Sequence, residues 1–266
     1  MVRSLWTGAS GMIGQQHNVD TISNNLANVN TTGYKKMRAG FEDLIYQTIR
    51  TAGTPATENT VIPVGIQMGH GVKISDTQRI FSQGSPTATQ EPTDMAIIGE
   101  GFFRVQMHDG SWAYTRDGNF QIDANGRLVT GNGYWVQPDI VMPEGYLREK
   151  ISVSADGRIS VIVPAIDPEI PVEIGQMELY RFPNPVGLNS IGENLFKLSA
   201  ASGDPIPGQP GFDGMGRIFH KALERSNINV ATEIVDLIVA QRAYEFNSRV
   251  IQTSDNMLGT ATALKR

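Results

Sequence analysis

The chain has no cysteine, which excludes a disulfide framework and any thiolate metal site. Charge is sparse as well. Only 18% of the 266 residues are charged, and a net charge of -5 with a pI near 5.4 lacks the basic excess of a dedicated nucleic-acid binder. No run approaches the roughly 18 apolar residues of a membrane span. Met1-Val-Arg3 leads into Trp6, Gly8, Ser10, Gly14 and Gln15 rather than an apolar core with a small-residue cleavage site, so no cleaved secretory signal is expected. Export, if it occurs, needs another route.

Chemistry is scarce too. There is no nucleophile elbow, phosphate loop or paired zinc motif. His17, His70, His108 and His220 are scattered, with no partner at metal-ligand spacing. Gly99-Glu-Gly101 and Gly69-His-Gly71 start a dinucleotide fingerprint, but Arg104 and Ile74 stand where its third glycine belongs. Asp117-Gly-Asn119 with Asp123-Ala-Asn125-Gly126 superficially resembles a calcium loop, yet lacks the ligand order and the closing glutamate and fits two hairpin turns better. The sequence therefore predicts no enzyme, no metal and no cofactor.

What is present is a pair of helical ends. Near the N-terminus Leu5, Met12, Val19 and Leu26 recur every seven residues, and Ile22 and Val29 complete a second stripe interrupted by Gly8 and Gln15. The spacing predicts a helix ending near Asn30, with Gly33 as a left-handed cap and Lys35, Lys36 and Arg38 answering the negative end of the dipole. Toward the C-terminus Val230, Leu237, Tyr244, Ile251 and Leu258 repeat the spacing, widened by Ile234 and Ile238. Ser226, Asn227 or Asn229 can cap this helix, Glu233 and Asp236 sit in its early turns, and Lys265 and Arg266 close it. At 1.5 Å per residue the two helices reach about 40 and about 50 Å, too long for either to be buried alone. Asn18, Asn24, Asn25, Asn28 and Asn30 are weak helix formers, so both ends are expected to order only when packed. Spacing leaves open whether the partner is the other end of the same chain or a second chain.

The middle reads as β-structure, rich in turns, consistent with 28 Gly and 14 Pro overall. Phe41, Leu44, Ile45 and Ile49 could continue a short helical turn, while Tyr46 to Arg50 and Val61 to Ile74 flank an exposed tip as a long hairpin. From Gly101 to Gln137 short strand candidates alternate with Asp109-Gly110, Asp117-Gly118, Asn125-Gly126 and Asn132-Gly133, dipeptides that tolerate positive φ. A second set runs from Ile151 to Phe182, and the Pro/Gly-dense 203–216 stretch reads as a connector back to the helical end.

Ser23-Asn-Asn-Leu-Ala-Asn-Val-Asn-Thr-Thr-Gly-Tyr-Lys35 resembles the N-terminal signature of bacterial flagellar rod and hook proteins. The resemblance extends to 223–238, to Ala240-Gln-Arg-Ala-Tyr-Glu-Phe-Asn-Ser248 and to Thr253-Ser-Asp-Asn-Met-Leu258. Tyr46-Gln-Thr-Ile-Arg50 with 54–65, Gly99-Glu-Gly-Phe-Phe103, Ala113-Tyr-Thr-Arg-Asp-Gly118 and Ser190-Ile-Gly-Glu-Asn-Leu195 are similar to the distal-rod members. The 166–171 segment matches no family pattern.

The resemblance implies an α+β subunit: terminal helices from 1–33 and 225–266 pairing as a coiled coil, a hairpin arm from 34–85 with 203–224, and a β-rich outer domain over 86–202. The stripes Leu5, Met12, Val19, Ile22, Leu26, Val29, Val230, Ile234, Leu237, Ile238, Tyr244, Ile251 and Leu258 would serve assembly, and Tyr46, Ile49, Pro55, Val61, Ile62 and Pro63 would stiffen the arm. It implies a torque-transmitting drive shaft in the periplasmic part of the basal body, delivered by the flagellar type III export apparatus. Its partners would be itself in a helical homopolymer, proximal-rod proteins, the hook protein and surrounding ring proteins, with no nucleic acid. A proximal-rod or hook protein shares the terminal signatures and is the nearest alternative; a β-rich ligand-binding module is the alternative from another class.

Overall fold

The computed structural model describes residues 2–53, 55–57, 60–61, 63–164 and 171–263; Ile62, Lys265, Arg266 and most of the 166–171 segment lie outside the described residues. Two compact units emerge, one formed by 1–27, 37–78 and 229–266, the other by 28–36 and 79–228.

The first unit holds both helices, α1 (Val2–Ala27) and α2 (Val230–Ala263). α1 stops three residues before the predicted Asn30, because Asn25 bonds outside the helix: its Nδ2 donates to Met37 O (2.8 Å) and its Oδ1 accepts from Met37 N (2.9 Å). Of the three candidate caps for α2, Asn229 takes the role, its Oδ1 accepting from the N–H groups of Ala231 (3.1 Å) and Thr232 (3.4 Å). Among the described residues, six strands accompany the helices: β1 (Met37–Asp43), β2 (Tyr46–Arg50), β3 (Pro55–Thr57), β4 (Thr60–Val61), β5 (Ile66–Gly69) and β6 (Val72–Arg79). β1 pairs with β6, β2 with β5 and β3 with β4. The helical turn expected around Phe41, Leu44, Ile45 and Ile49 is therefore replaced by two strands, whose backbone groups find partners across the chain rather than along it.

The second unit is β throughout, apart from two short 3₁₀ turns among its described residues. β7 (Pro86–Ala88), β8 (Met95–Ile98), β9 (Phe103–Gln106), β10 (Trp112–Thr115), β11 (Phe120–Ile122), β12 (Leu128–Thr130) and β13 (Trp135–Gln137) come first. They are followed by β14 (Ser152–Val153), β15 (Arg158–Val161), β16 (Val172–Gln176), β17 (Leu179–Arg181), β18 (Asn189–Gly192), β19 (Leu195–Lys197), β20 (Ile206–Gly208), β21 (Arg217–His220) and β22 (Ala222–Glu224). The largest sheet is antiparallel in the order β11-β12-β13-β9-β10-β19-β18, beside a β14-β15-β16 sheet. Phe103, Val105, Ala113, Val136, Ile159, Met177 and Leu179 fill the core between them. A second cluster joins Phe102, Tyr114, Tyr180, Phe182 and Phe196, with Phe81 edge-on to Phe102 and Phe196 at 5.5 Å.

Residues 203–224 fall in this β unit, where β21 pairs with β8 and β22 with β7. One sequence expectation needs correcting here. Asp117-Gly118 is not a left-handed hairpin turn like its three companions: Gly118 has no positive φ, but a Cβ there would fall 1.6 Å from Met95 O. Its glycine is a requirement of close approach rather than of torsion.

Candidate assembly site

In the helical unit α1 and α2 run antiparallel, as paired positions show: Ser4 with Ser254 (Oγ to Oγ 3.0 Å), Gly8 with Ile251, Gly11 with Asn247, and Asn25 with Glu233 (3.1 Å). The seam is small and polar rather than apolar. A Cβ on Gly8 would lie 3.0 Å from Ile251 Cγ1, and one on Gly11 2.8 Å from Asn247 Nδ2. On α2 the deepest row is Glu233, Ala240 and Ser254, on one seven-residue repeat with Asn247.

The predicted stripes only partly coincide with this seam. Ile22 is buried; Leu5, Met12, Val19, Leu26, Val29, Leu237, Ile251 and Leu258 are half-buried; Val230, Ile234, Ile238 and Tyr244 are exposed. In the strand region Tyr46, Ile49 and Pro63 are exposed, while Pro55 and Val61 are paired in register with no side chain described.

The β unit contains a feature that the sequence did not reveal. Lys35, read as a helix-end charge, is completely buried: its Nζ donates to Glu224 Oε1 at 2.6 Å and to Ser82 O at 2.9 Å, both carboxylate and amine being 0% exposed. Arg116 Nε donates to Glu224 Oε2 (3.1 Å), its Nη1 to the carbonyls of Gly99 (2.8 Å) and Gly101 (2.7 Å), and Gly84 N–H donates to Glu224 Oε1 (2.8 Å). One carboxylate thus ties together the 28–36 segment, the 81–84 loop, the strand ahead of Gly118 and β22. Burial, and secondarily the like charge of Arg116, push the Lys35 ammonium below its usual range against the pull of Glu224.

Asparagines and a glycine complete the crossing. Gly33 is left-handed as expected (φ 67°), yet it lies six residues beyond the helix end, its N–H donating to Glu224 O (2.8 Å) and its Cα so close to Asp117 N that a Cβ would fall 2.6 Å away. Asn227 accepts from Lys36 N–H (2.7 Å) and donates to Ile80 O (2.8 Å), and Asn194 donates to Thr32 O (3.0 Å). Thr32 Oγ1 donates to Asp117 Oδ1 (2.9 Å), whose carboxyl is raised above the ordinary range by burial. The asparagine-rich signature is a set of backbone clamps. Nothing here is arranged as nucleophile and base, and no group of three or more His, Asp or Glu among the described residues could hold a metal ion.

Comparison with known proteins gives this arrangement a context. Residues 5–35 match the family model "Flagella basal body rod protein", 96–161 "Flagellar hook protein FlgE/F/G D1 domain", and 220–264 "Flagellar basal body rod FlgEFG protein C-terminal". The flagellar basal-body rod protein FlgG of Borreliella burgdorferi is 58% identical over 100% of both chains. The chain belongs to the FlgG family of flagellar basal-body rod proteins. FlgG of Buchnera aphidicola from Acyrthosiphon pisum is 49% identical over 97% of this chain and 98% of its own. The Helicobacter mustelae hook protein FlgE is similar over 84% of this chain at 36% identity, but that match spans only 51% of the hook protein. As a FlgG-family member the chain is a structural subunit of the flagellar distal rod in the basal body, not an enzyme. The two segments that carry the buried network's N- and C-terminal partners, Lys35 and Glu224, fall inside the two terminal family matches.

Proposed function

We propose that the subunits build a tubular drive shaft, the terminal helices pairing as a coiled coil within each subunit and packing against neighbours in the wall. One observation carries this reading: α2 is apolar on faces that its own subunit leaves open. Its α1-facing row is Glu233, Ala240 and Ser254, while Val230, Ile234 and Ile238 on one side, and Val235, Val239, Phe246, Val250 and Met257 on another, are exposed. Trp6 and Ile13 do the same on α1. Apolar side chains on two open faces need a cover, and in this reading neighbouring copies supply it. Leu5, Met12, Val19, Leu26, Leu237, Ile251 and Leu258, at the margin of the intramolecular seam, bridge the two kinds of contact.

The antiparallel β2–β5 pair is the stiffening arm in this reading. With Tyr46, Ile49, Val64, Ile66 and Met68 all exposed, it has no covering layer of its own and rests on the next subunit. Neighbours along the axis are proximal-rod proteins on one side and the hook protein on the other, with ring proteins around the periplasmic section. Delivery runs through the flagellar type III apparatus without a cleaved signal, the helical ends ordering at the growing tip. Electron microscopy of basal bodies from a strain lacking only this protein tests the assignment. A short rod stub without a hook is expected; a complete rod lacking only its hook would reassign the chain, and intact flagella would overturn the axial role.

A further inference from the structure

The outer face of the large sheet carries a surface that rod assembly does not account for. Across β10, β9 and β13 the register pairs Trp112 with Gln106 and Gln106 with Trp135, so the three side chains form one transverse row. The next row on the same face is Tyr114, Arg104 and Gln137, of which Tyr114 is buried in the second aromatic cluster, whereas the row between them, Ala113, Val105 and Val136, points the other way into the core. Two indoles thus stand two strand spacings apart, about 10 Å, on either side of an amide.

Both rings are held in place and both are open. Arg104 packs its guanidinium 4.6 Å from the Trp112 ring and 4.4 Å from that of Tyr180, and Arg127 lies 5.1 Å from Trp135. With these cations against their rings, Trp112 and Trp135 remain 39% and 44% exposed. Arg104 Nε is buried and meets no acceptor among the described residues. Gln137 Nε2 donates to Gln106 Oε1 at a long 3.5 Å, which ties the amide between the rings to the adjoining row.

From this row we infer a binding site for a β-linked glycan chain. The axial C–H edges of a pyranose ring are weakly positive and stack on the negative face of an indole. A β-linked chain is flat, and every second ring presents the same face in the same orientation, over a span of the order that separates Trp112 from Trp135. Hydroxyls of the ring between them meet the Gln106 and Gln137 amides. An α-linked chain curves and cannot lie on both indoles at once. The flatness of the row, with amide donors instead of a deep apolar pocket, fits a hydroxyl-covered ligand better than a protein side chain.

Titration of the full chain with chitohexaose and with cellohexaose, followed by tryptophan fluorescence and calorimetry, tests the site; maltohexaose is the α-linked control. Saturable binding of at least one β-linked hexasaccharide and none of maltohexaose is expected. Trp112→Ala and Trp135→Ala should each weaken it by at least about tenfold, 1.4 kcal/mol at 25 °C. Trp112→Tyr and Trp135→Phe, which keep an aromatic face, should retain most of the affinity and the parent melting temperature, separating loss of the site from loss of the fold. Absence of saturable binding at millimolar sugar would overturn the proposal. So would binding that survives both alanine variants, or alanine variants that alter only polymerisation, which would assign the row to contacts between copies. None of these outcomes depends on the rod assignment.

Discussion

Glu224 is the residue on which most of the β unit's buried charge depends, since it faces Lys35, Arg116 and the Gly84 amide at once. Glu224→Gln would leave two cations buried without a counter-charge, and a loss of about 3–5 kcal/mol in chemical denaturation is expected. Lys35→Met should cost distinctly less, because Glu224 keeps Arg116 and the departing ammonium takes its desolvation penalty with it. The reverse order would mean that the network is not centred on the carboxylate. Asp117 offers a pH readout. Its folded-state pKa is raised by burial, so the stability it contributes is full below the ordinary carboxylate range and is lost as pH rises through the folded value. Asp117→Asn can still accept from Thr32 Oγ1 and Asn119 N–H, and should therefore match the parent in acid and gain on it toward neutral pH. Melting curves across that range check the sign; a deficit that grows toward neutrality would show the charge to be stabilising. Lys35 also marks where reading the sequence failed. Nothing local distinguishes it from Lys36 beside it, because its burial is set by Glu224, 189 positions away.

At the scale of elements, the helices and most strands were legible, because each rests on a short-range pattern: heptads, an asparagine cap, and Asn-Gly or Asp-Gly turns at 110, 126 and 133 with positive φ. What was not legible was which helix face meets which partner. Heptad counting favours large apolar residues, yet the intramolecular seam uses Gly8, which reads as an interruption of the stripe, together with Gly11, Ala240 and Ser254, which no stripe includes. Gly11→Leu should accordingly force α1 and α2 apart and abolish motility, while near-ultraviolet dichroism of the β unit stays unchanged; retained motility would dissolve the seam argument. The strand pair makes a separate prediction. Deleting 48–64 removes half of the β2–β5 register pairs and the tip beyond them without touching α1, α2 or the buried network, so rods should assemble but curve or flex under electron microscopy. A straight, rigid rod from that variant would remove stiffness from the role of this segment.

For the whole molecule, helicity and assembly are expected to rise together. The 26- and 34-residue helices carry several Asn, Ser, Thr and Gly residues and draw their stability from packing. Far-ultraviolet dichroism of dilute subunits should fall short of the helix content of the folded chain and reach it on polymerisation; full helicity at nanomolar concentration would contradict folding coupled to growth. The open apolar faces of α2 have one more consequence. A surface that is covered only inside a polymer gives the free subunit a solubility ceiling, above which chains collect into whatever contacts come first. A cell that makes this protein faster than assembly consumes it would fill with disordered precipitate and not with stray rods, since an ordered lattice requires a slow nucleus and sticking does not. Synthesis rate, rather than affinity between finished subunits, then decides whether shafts form only where they are wanted.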